Sequence, residues 1–352
     1  MNKLPGFIFE KMTRIVKVES LLADLHEAVS VLKQGRPVAM PTETVYGLAA
    51  NALDGKAAES IFAVKNRPSD NPLIVHISSM EMLKRVVAVD PSTGEPLIPE
   101  KLRPVLDRFW PGPLTVLLPK GPNVPDQVTA GLRTVAVRFP RHPVAKALIE
   151  QADMPLAAPS ANLSGRPSPT TAQHVFDDLN GRVDLILDGG KCSFGLESTV
   201  LNALVSPPVI LRPGSITLTM LREYLPDCQI YKPDAKDIER PATPGLKYRH
   251  YSPTCPVILF HNHGKVDEYL NTELAGKKIV RLLNGPVEPL AYPHIVLSER
   301  YDPEEIARNL FDGLRQADTM GCDYIICEAV SEDDEGLAIM NRLSKAASHS
   351  VY

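Results

Sequence analysis

Lys65-Asn66-Arg67-Pro68-Ser69-Asp70-Asn71-Pro72-Leu73-Ile74-Val75-His76 is the stretch on which the fold turns. It follows a helical run, Ala57 to Val64, and leads into an apolar strand, Leu73 to Ile77. Two prolines fix φ and restrict the residue before each, so the loop between helix and strand is stiff. Lys65 and Arg67 make it cationic. Charge-assisted hydrogen bonds of about 1.5–3 kcal/mol each would let such a loop hold phosphate without glycines. The plainer reading is a solvated surface turn.

Working outward, the same alternation recurs. Arg14 to Val18 reads as a strand. Leu21, Leu22, Leu25, Ala28, Val29 and Leu32 recur at helical spacing, with Ser20 as N-cap and Gly35 as the stop. Val38 to Met40 is a short buried strand that opens into Pro41-Thr42-Glu43-Thr44-Val45-Tyr46-Gly47-Leu48, either a ligand crevice at a strand end or a capped turn. Trp110, the single tryptophan, reads as a core anchor ahead of a turn (Pro111 to Pro113) and a strand (Leu114 to Leu118). Thr134 to Pro140 alternates as a strand but places Arg138 in an apolar run. A buried guanidinium needs an anion, supplied by a structural carboxylate or by a ligand. Leu156 to Ala158 leaves into a loop dense in hydroxyls that ends at a helix start, Thr171. Helix-terminal amides, serines and Arg166 favour an anion there, where a plain connector is the alternative. Glu197 to Leu201 and Val209 to Gly214 read as adjacent strands, with Arg212 at a sheet edge, and a helix from Leu218 to Leu225 follows. Strands separated by helices, one pair in hairpin order, predict a mixed α/β sheet.

Residues 226–253 show no period, yet Lys247, Arg249, His250 and two tyrosines stand between prolines, as in a lid over an anionic site. Strand and helix then alternate to the end: Val257 to Phe260, Val266 to Leu274, Lys278 to Leu283, Ile295 to Leu297, Pro303 to Ala317, Tyr324 to Cys327, and Gly336 to Ala347. This predicts a small Rossmann-like sheet without the glycine turn of a dinucleotide site.

At 352 residues, two domains are the default. Composition is that of a soluble globular chain, 44% hydrophobic and 23% charged, with no apolar run of membrane-span length and no signal-peptide pattern in Met1 to Arg14. Five scattered cysteines speak against a disulfide framework and for a reducing cytoplasm; Cys322 and Cys327 read as core residues. Residues 254–352 carry 9 Lys and Arg against 16 Asp and Glu, net −7, so the first 253 residues hold +3 of the overall −4. That balance suits small anionic ligands better than a dedicated nucleic-acid binder.

Nine segments in this order carry a resemblance: PTETVYGL (41–48), KNRPSDNPLIVH (65–76), WPGPLT (110–115), TVAVRFP (134–140), APSANLSGRPSPT (158–170), ESTV (197–200), ILRPG (210–214), PGLKYRHYSP (244–253) and EGLAIMNRLSKA (335–346). Together they resemble the Sua5/YrdC/YwlC family in its longer, two-domain form. The resemblance implies a YrdC-like twisted mixed sheet with a concave basic cleft (14–225), a linker and lid (226–253) and a smaller C-terminal Rossmann-like domain (254–352). It also implies a reaction. L-threonine and bicarbonate give N-carboxy-threonine, whose carboxylate attacks the α-phosphate of ATP and releases pyrophosphate. The product, threonylcarbamoyl-AMP, is the donor for the t6A modification of tRNA.

On the family pattern, L-threonine falls on Thr44, His76, Arg138, Ala158 and Ser198. ATP falls on Arg67, Asn71, Thr134, Ser160, Ser168 and Arg212, with Tyr251 reaching over the nucleotide and Lys247 and Arg249 as lesser linker contributors. Lys65 and Arg67 are the catalytic cations. Mg²⁺ rides on the ATP phosphates with no protein ligand. The implied setting is cytoplasmic and away from membranes, with hand-over to a tRNA threonylcarbamoyl-transferase machinery and weak tRNA contact. No Ser/His/Asp or Cys/His arrangement is evident, and none is needed: two anions must be aligned and their charge offset. Three rivals remain at this point. One is an RNA-binding module, disfavoured by the modest charge and sparse aromatics. Another is a hydrogenase-maturation carbamoyltransferase, which would carry the paired Cys-x-x-Cys modules absent from this sequence. The third is a regulatory ligand sensor.

Overall fold

The computed structural model describes residues 12–232, 250–286 and 292–352, so Lys247 and Arg249 lie outside the described residues. The first sheet is built from β1 (Arg14–Lys17), β2 (Val38–Met40), β3 (Gly47–Asn51), β4 (Ile74–His76), β5 (Leu114–Pro119), β6 (Thr134–Arg138), β7 (Leu156–Ala157), β8 (Leu185–Asp188), β9 (Thr199–Asn202), β10 (Val209–Arg212) and β11 (Gln229–Ile230). They lie side by side as β1-β8-β2-β3-β7-β4-β6-β5-β9-β10-β11. β4 and β6 are parallel, as are β5 and β9; β5 and β6 are antiparallel, as are β9 and β10. The sheet is mixed, as expected.

Its register has a functional consequence. His76 lies opposite Arg138, Arg138 opposite Thr115, Thr115 opposite Val200, and Val200 opposite Arg212. Polar residues from distant parts of the chain therefore meet along one line across the strand ends.

The helix Gly55–Lys65 shows how local signals build this frame. Asp54 caps it, accepting from the backbone N–H of Lys56 and Ala57, and Asn66 ends it in the left-handed region at φ 51°. Ala57, Ala58, Ile61 and Phe62 face the core, and full burial of Ile or Phe contributes about 1.5–3 kcal/mol each. Two expectations are corrected. The helix placed from Leu21 begins only at His26, because the Asp24 carboxylate takes the amides of Glu19 and Ser20 and holds a turn there, leaving Leu21 and Leu22 exposed. β10 is not the edge strand: β11, inside the 226–253 stretch in which the sequence shows no period, pairs parallel with it at Val209 and Ile210 and stops short of Arg212.

The second sheet comprises β12 (Val257–Phe260), β13 (Ile279–Leu283), β14 (His294–Val296), β15 (Tyr324–Glu328) and β16 (His349–Val351). Its order, β14-β13-β15-β12-β16, is parallel throughout, with helices Pro303–Thr319 and Glu335–Ala346 packed on each other and on the sheet. The two domains share apolar contacts. Val45 and Leu196 of the first belong to the same buried cluster as Leu310, Phe311 and Met340 of the second. At Gly195, φ +77°, a Cβ would collide with the backbone of Arg308, so the close approach needs glycine.

Candidate functional site

Lys65 decides the character of the site. As the last residue of its helix it turns inward and is almost wholly buried, contrary to a solvated turn. Its ammonium donates to the backbone oxygens of Ser160 and Asn162, tying the helix end to the 158–171 loop. Burial, then the neighbouring Arg67 charge, push its pKa well below that of an ordinary lysine. In the same loop Ser160 Oγ donates to Asn162 Oδ1 at 2.6 Å, and Asn162 Nδ2 donates to the oxygens of Leu163 and Arg166. This loop is ordered by its own polar groups.

Around it lies an open cleft with about 70 Å³ of space accessible to water. Among the described residues five cations line it, Lys65, Arg67, Arg138, Arg166 and Arg212, against the single carboxylate of Glu197. Thr44, His76, Ala158, Ser160, Ser168, Ser198 and Tyr251 line it as well. Asn71 and Thr134 do not. Asn71 is buried, and its backbone oxygen accepts a long hydrogen bond from Arg67 at 3.4 Å. Thr134 opens β6, four residues and about 13 Å along the strand from Arg138.

Arg138 has a protein partner. Its Nη2 pairs with the Glu43 carboxylate at 2.7 Å, its Nη1 donates to Thr44 Oγ1 at 2.8 Å, and its Nε donates to Gly112 O. Of the two anions open from sequence, the structural carboxylate is the one found. Burial alone would raise the Glu43 carboxyl; the Arg138 charge outweighs it and holds it below the usual carboxylate value. Thr42 braces the same turn, accepting from the amides of Thr44 and Val45.

Arg212 is turned onto Ser198, donating to its backbone oxygen at 3.1 and 2.9 Å and to its Oγ at 3.1 Å; that Oγ also bonds Thr115 at 2.8 Å. Ser168 Oγ donates to Glu197. The imidazole of His76 lies against Ile74 O at 3.1 Å and is buried; burial, then the Arg138 charge, lower its pKa to about 3, so it is neutral near pH 7. His250 is lowered to about 4 by burial and then by Arg67. Tyr251, φ +64°, stacks on Phe311 at 5.2 Å and sits under the Arg342 guanidinium, so its ring is anchored in the second domain rather than free above the cavity.

Sequence reasoning gave no role to Glu43, Asn162 and Glu197, and noted His250 only among the residues of the lid. Each had a cue: Glu43 is the acid nearest the Thr42–Thr44 crevice, Asn162 interrupts a hydroxyl loop, Glu197 precedes Ser198, and His250 adjoins Tyr251. It also assigned nothing to Arg315 and Arg342. From the second domain, Arg315 donates to both carboxylate oxygens of Asp178, and Arg342 to Glu197.

The arrangement defines an anion-binding α/β protein whose site is assembled at strand ends. Comparison with known proteins gives the family. A model described as telomere recombination, for Sua5, YciO and YrdC proteins, matches residues 30–214, and one described as the threonylcarbamoyl-AMP synthase C-terminal domain matches 216–348. The chain belongs to the Sua5/YciO/YrdC family, in its two-domain form. Threonylcarbamoyl-AMP synthase of Schizosaccharomyces pombe is 46% identical, covering 92% of this chain and 88% of that protein. The Pyrococcus abyssi enzyme of the same name is 43% identical over 97% and 99%. The crystal structure of P. abyssi Sua5 complexed with L-threonine superposes with a TM-score of 0.87 at 41% identity, covering 97% of this chain and all of that one. Among the described residues no helix is long and apolar enough to cross a membrane.

Proposed function

We propose that the protein is an L-threonylcarbamoyladenylate synthase, forming threonylcarbamoyl-AMP and pyrophosphate from L-threonine, bicarbonate and ATP. One observation carries the reading: Lys65, Arg67, Arg138 and Arg212 converge with Thr44 and Ser198 on one open cleft. The complex of P. abyssi Sua5 with L-threonine and the likeness to threonylcarbamoyl-AMP synthases support it.

Thr44, His76, Arg138, Ala158 and Ser198 take the amino acid. Arg67, Ser160, Ser168, Arg212 and Tyr251 border the nucleotide, with Asn71 supporting Arg67 from behind and Thr134 farther along the same strand. Lys65 and Arg67 offset the charge that builds as one anion attacks another. His76 and His250 are too weakly basic to take a proton near pH 7, and a carbamate needs no base to attack. Mg²⁺ suits the phosphates: among the described residues the one cavity carboxylate, Glu197, already accepts from Ser168 and Arg342, and Mg²⁺ tolerates a shell of phosphate and water oxygens. In this reading residues 14–225, with β11, carry the chemistry and 254–352 form the second domain; of the 226–253 linker, residues 233–249 lie outside the described residues. The setting is cytoplasmic, and the unstable product passes to a tRNA-modifying acceptor, with weak tRNA contact.

The test is pyrophosphate release by purified protein with ATP, Mg²⁺, bicarbonate and each amino acid in turn. Release that depends on both threonine and bicarbonate, and is abolished by Arg67→Ala, is expected. Release indifferent to the amino acid overturns the reading.

A further inference from the structure

Arg342 lies on the helix Glu335–Ala346 of the second domain, yet it has no solvent exposure and every described partner off its own helix belongs to the nucleotide side of the cavity or to the residue that borders it. Its Nε donates to Glu197 Oε2 at 2.9 Å, its Nη1 to Pro213 O at 2.7 Å and its Nη2 to Glu197 O at 3.3 Å. Its guanidinium carbon stands 5.7 Å from the centre of the Tyr251 ring. Each contact leads to a cavity residue. Glu197 accepts from Ser168 through its other carboxylate oxygen. Pro213 follows Arg212, and Ser198, which takes the Arg212 fork, follows Glu197. The RPG turn is close-packed besides: a Cβ on Gly214 would lie 2.6 Å from Glu197 O.

We infer that Arg342 is a positioning residue for ATP: from the second domain it neutralises Glu197 and sets Ser168, Arg212 and Tyr251 in register for the triphosphate. This rests on the nucleotide reading of the cavity given above. The physical reason is charge. Glu197 is a buried carboxylate in a cavity meant for phosphates. Burial alone would raise its pKa, and the charges of Arg342 and then Arg212 outweigh that and hold it ionised. Lys65, Lys345, His250 and Tyr251 also face it electrostatically. Among the described residues Arg342 is the only cation in ion-pair contact with it. Without Arg342, an uncompensated carboxylate would meet the incoming nucleotide, and its remaining neighbours would lose their common anchor.

The test measures KM for ATP and for L-threonine separately, between pH 6 and 8, in Arg342→Met, Arg342→Lys and Arg342→Met/Glu197→Gln. The Met variant is expected to raise KM for ATP about 10- to 100-fold at pH 8 while moving KM for threonine less than about 3-fold. Lowering the pH protonates the orphaned carboxyl and returns much of the ATP affinity, a trend the wild type does not show. The double variant recovers ATP affinity at pH 8 and loses the trend. Arg342→Lys keeps the charge but not the fork, so its KM for ATP rises less and stays level with pH. Equal rises in both KM values, or no recovery in the double variant, overturn the proposal. Should the Met variant not fold, a Lys variant with wild-type KM for ATP does so. ATP affinity is also titrated calorimetrically in the same proteins. If the wild type releases no threonine-dependent pyrophosphate, the synthase reading fails, and the Arg342 proposal is still decided by nucleotide binding.

Discussion

Replacing His76 by Asn should make the first domain less sensitive to acid. In the folded protein the imidazole is buried against Ile74 O, and its pKa is lowered from 6.5 to about 3, by burial first and by the Arg138 charge second. Unfolded, it titrates near its ordinary value. Between pH 6.5 and 3 the unfolded chain therefore holds more protons at this site than the folded one. Stability thus rises with pH through that window and is lost as pH falls below 6.5. At pH 5 the site has crossed about 1.5 pH units of the window, which at 1.36 kcal/mol per unit is about 2 kcal/mol. Asn keeps a polar atom near the Ile74 carbonyl and does not titrate. Trp110 provides the assay. It is the only tryptophan, packs against the first domain's core and donates to Leu114 O, so its fluorescence in urea follows that domain. Wild type should lose about 2 kcal/mol more than His76→Asn between pH 7 and pH 5. His142 and His250, also lowered, titrate in both proteins and cancel in the comparison. Parallel losses in the two proteins would refute the reasoning.

Other outcomes follow from the same contacts. Glu43→Ala strands the buried Arg138 guanidinium and should cost about 3–5 kcal/mol of stability in the Trp110 assay. Gly195→Ala forces a side chain against the Arg308 backbone at a left-handed φ and should lower the calorimetric melting temperature through about 1–3 kcal/mol of overpacking. Arg212→Lys gives up the fork on Ser198 and should raise KM for ATP about tenfold, read in the pyrophosphate assay.

Much of the frame was legible because local chemistry writes it. The helical run Ala57 to Val64, the proline turn before β5, and the alternation of β6 need no knowledge of the rest of the chain. What failed was local pattern without local cause. Leu21 and Leu22 fit a helical period but stay outside, because Asp24 captures the amides ahead of them. β11 and β16 are two and three residues long and exist through pairing with strands elsewhere, so no periodicity announces them. The site divides the same way. Lys65 and Arg67 were visible as cations of a stiff loop, and Ser160 and Arg212 as polar residues at strand ends. Their partners were not, since Glu43 meets Arg138, and Glu197 meets Arg342, only after 95 and 145 positions of chain are folded back. Thr134 stands apart from the cavity for a related reason: it shares a strand with Arg138, and a strand spreads its residues along its length.

None of the three most deeply buried cavity cations waits idle. Arg138 is engaged by Glu43, Thr44 and Gly112, Arg212 by Ser198, and Lys65 by two backbone oxygens. An arriving anion must displace bonds already made, so its net gain is a difference between similar quantities. Chloride or sulfate, which can replace only part of that set, gains little. A larger ligand that presents many oxygens in a fixed array replaces the whole set at once. Discrimination against the abundant small anions of a cell is thereby built into the contacts that already hold these three cations.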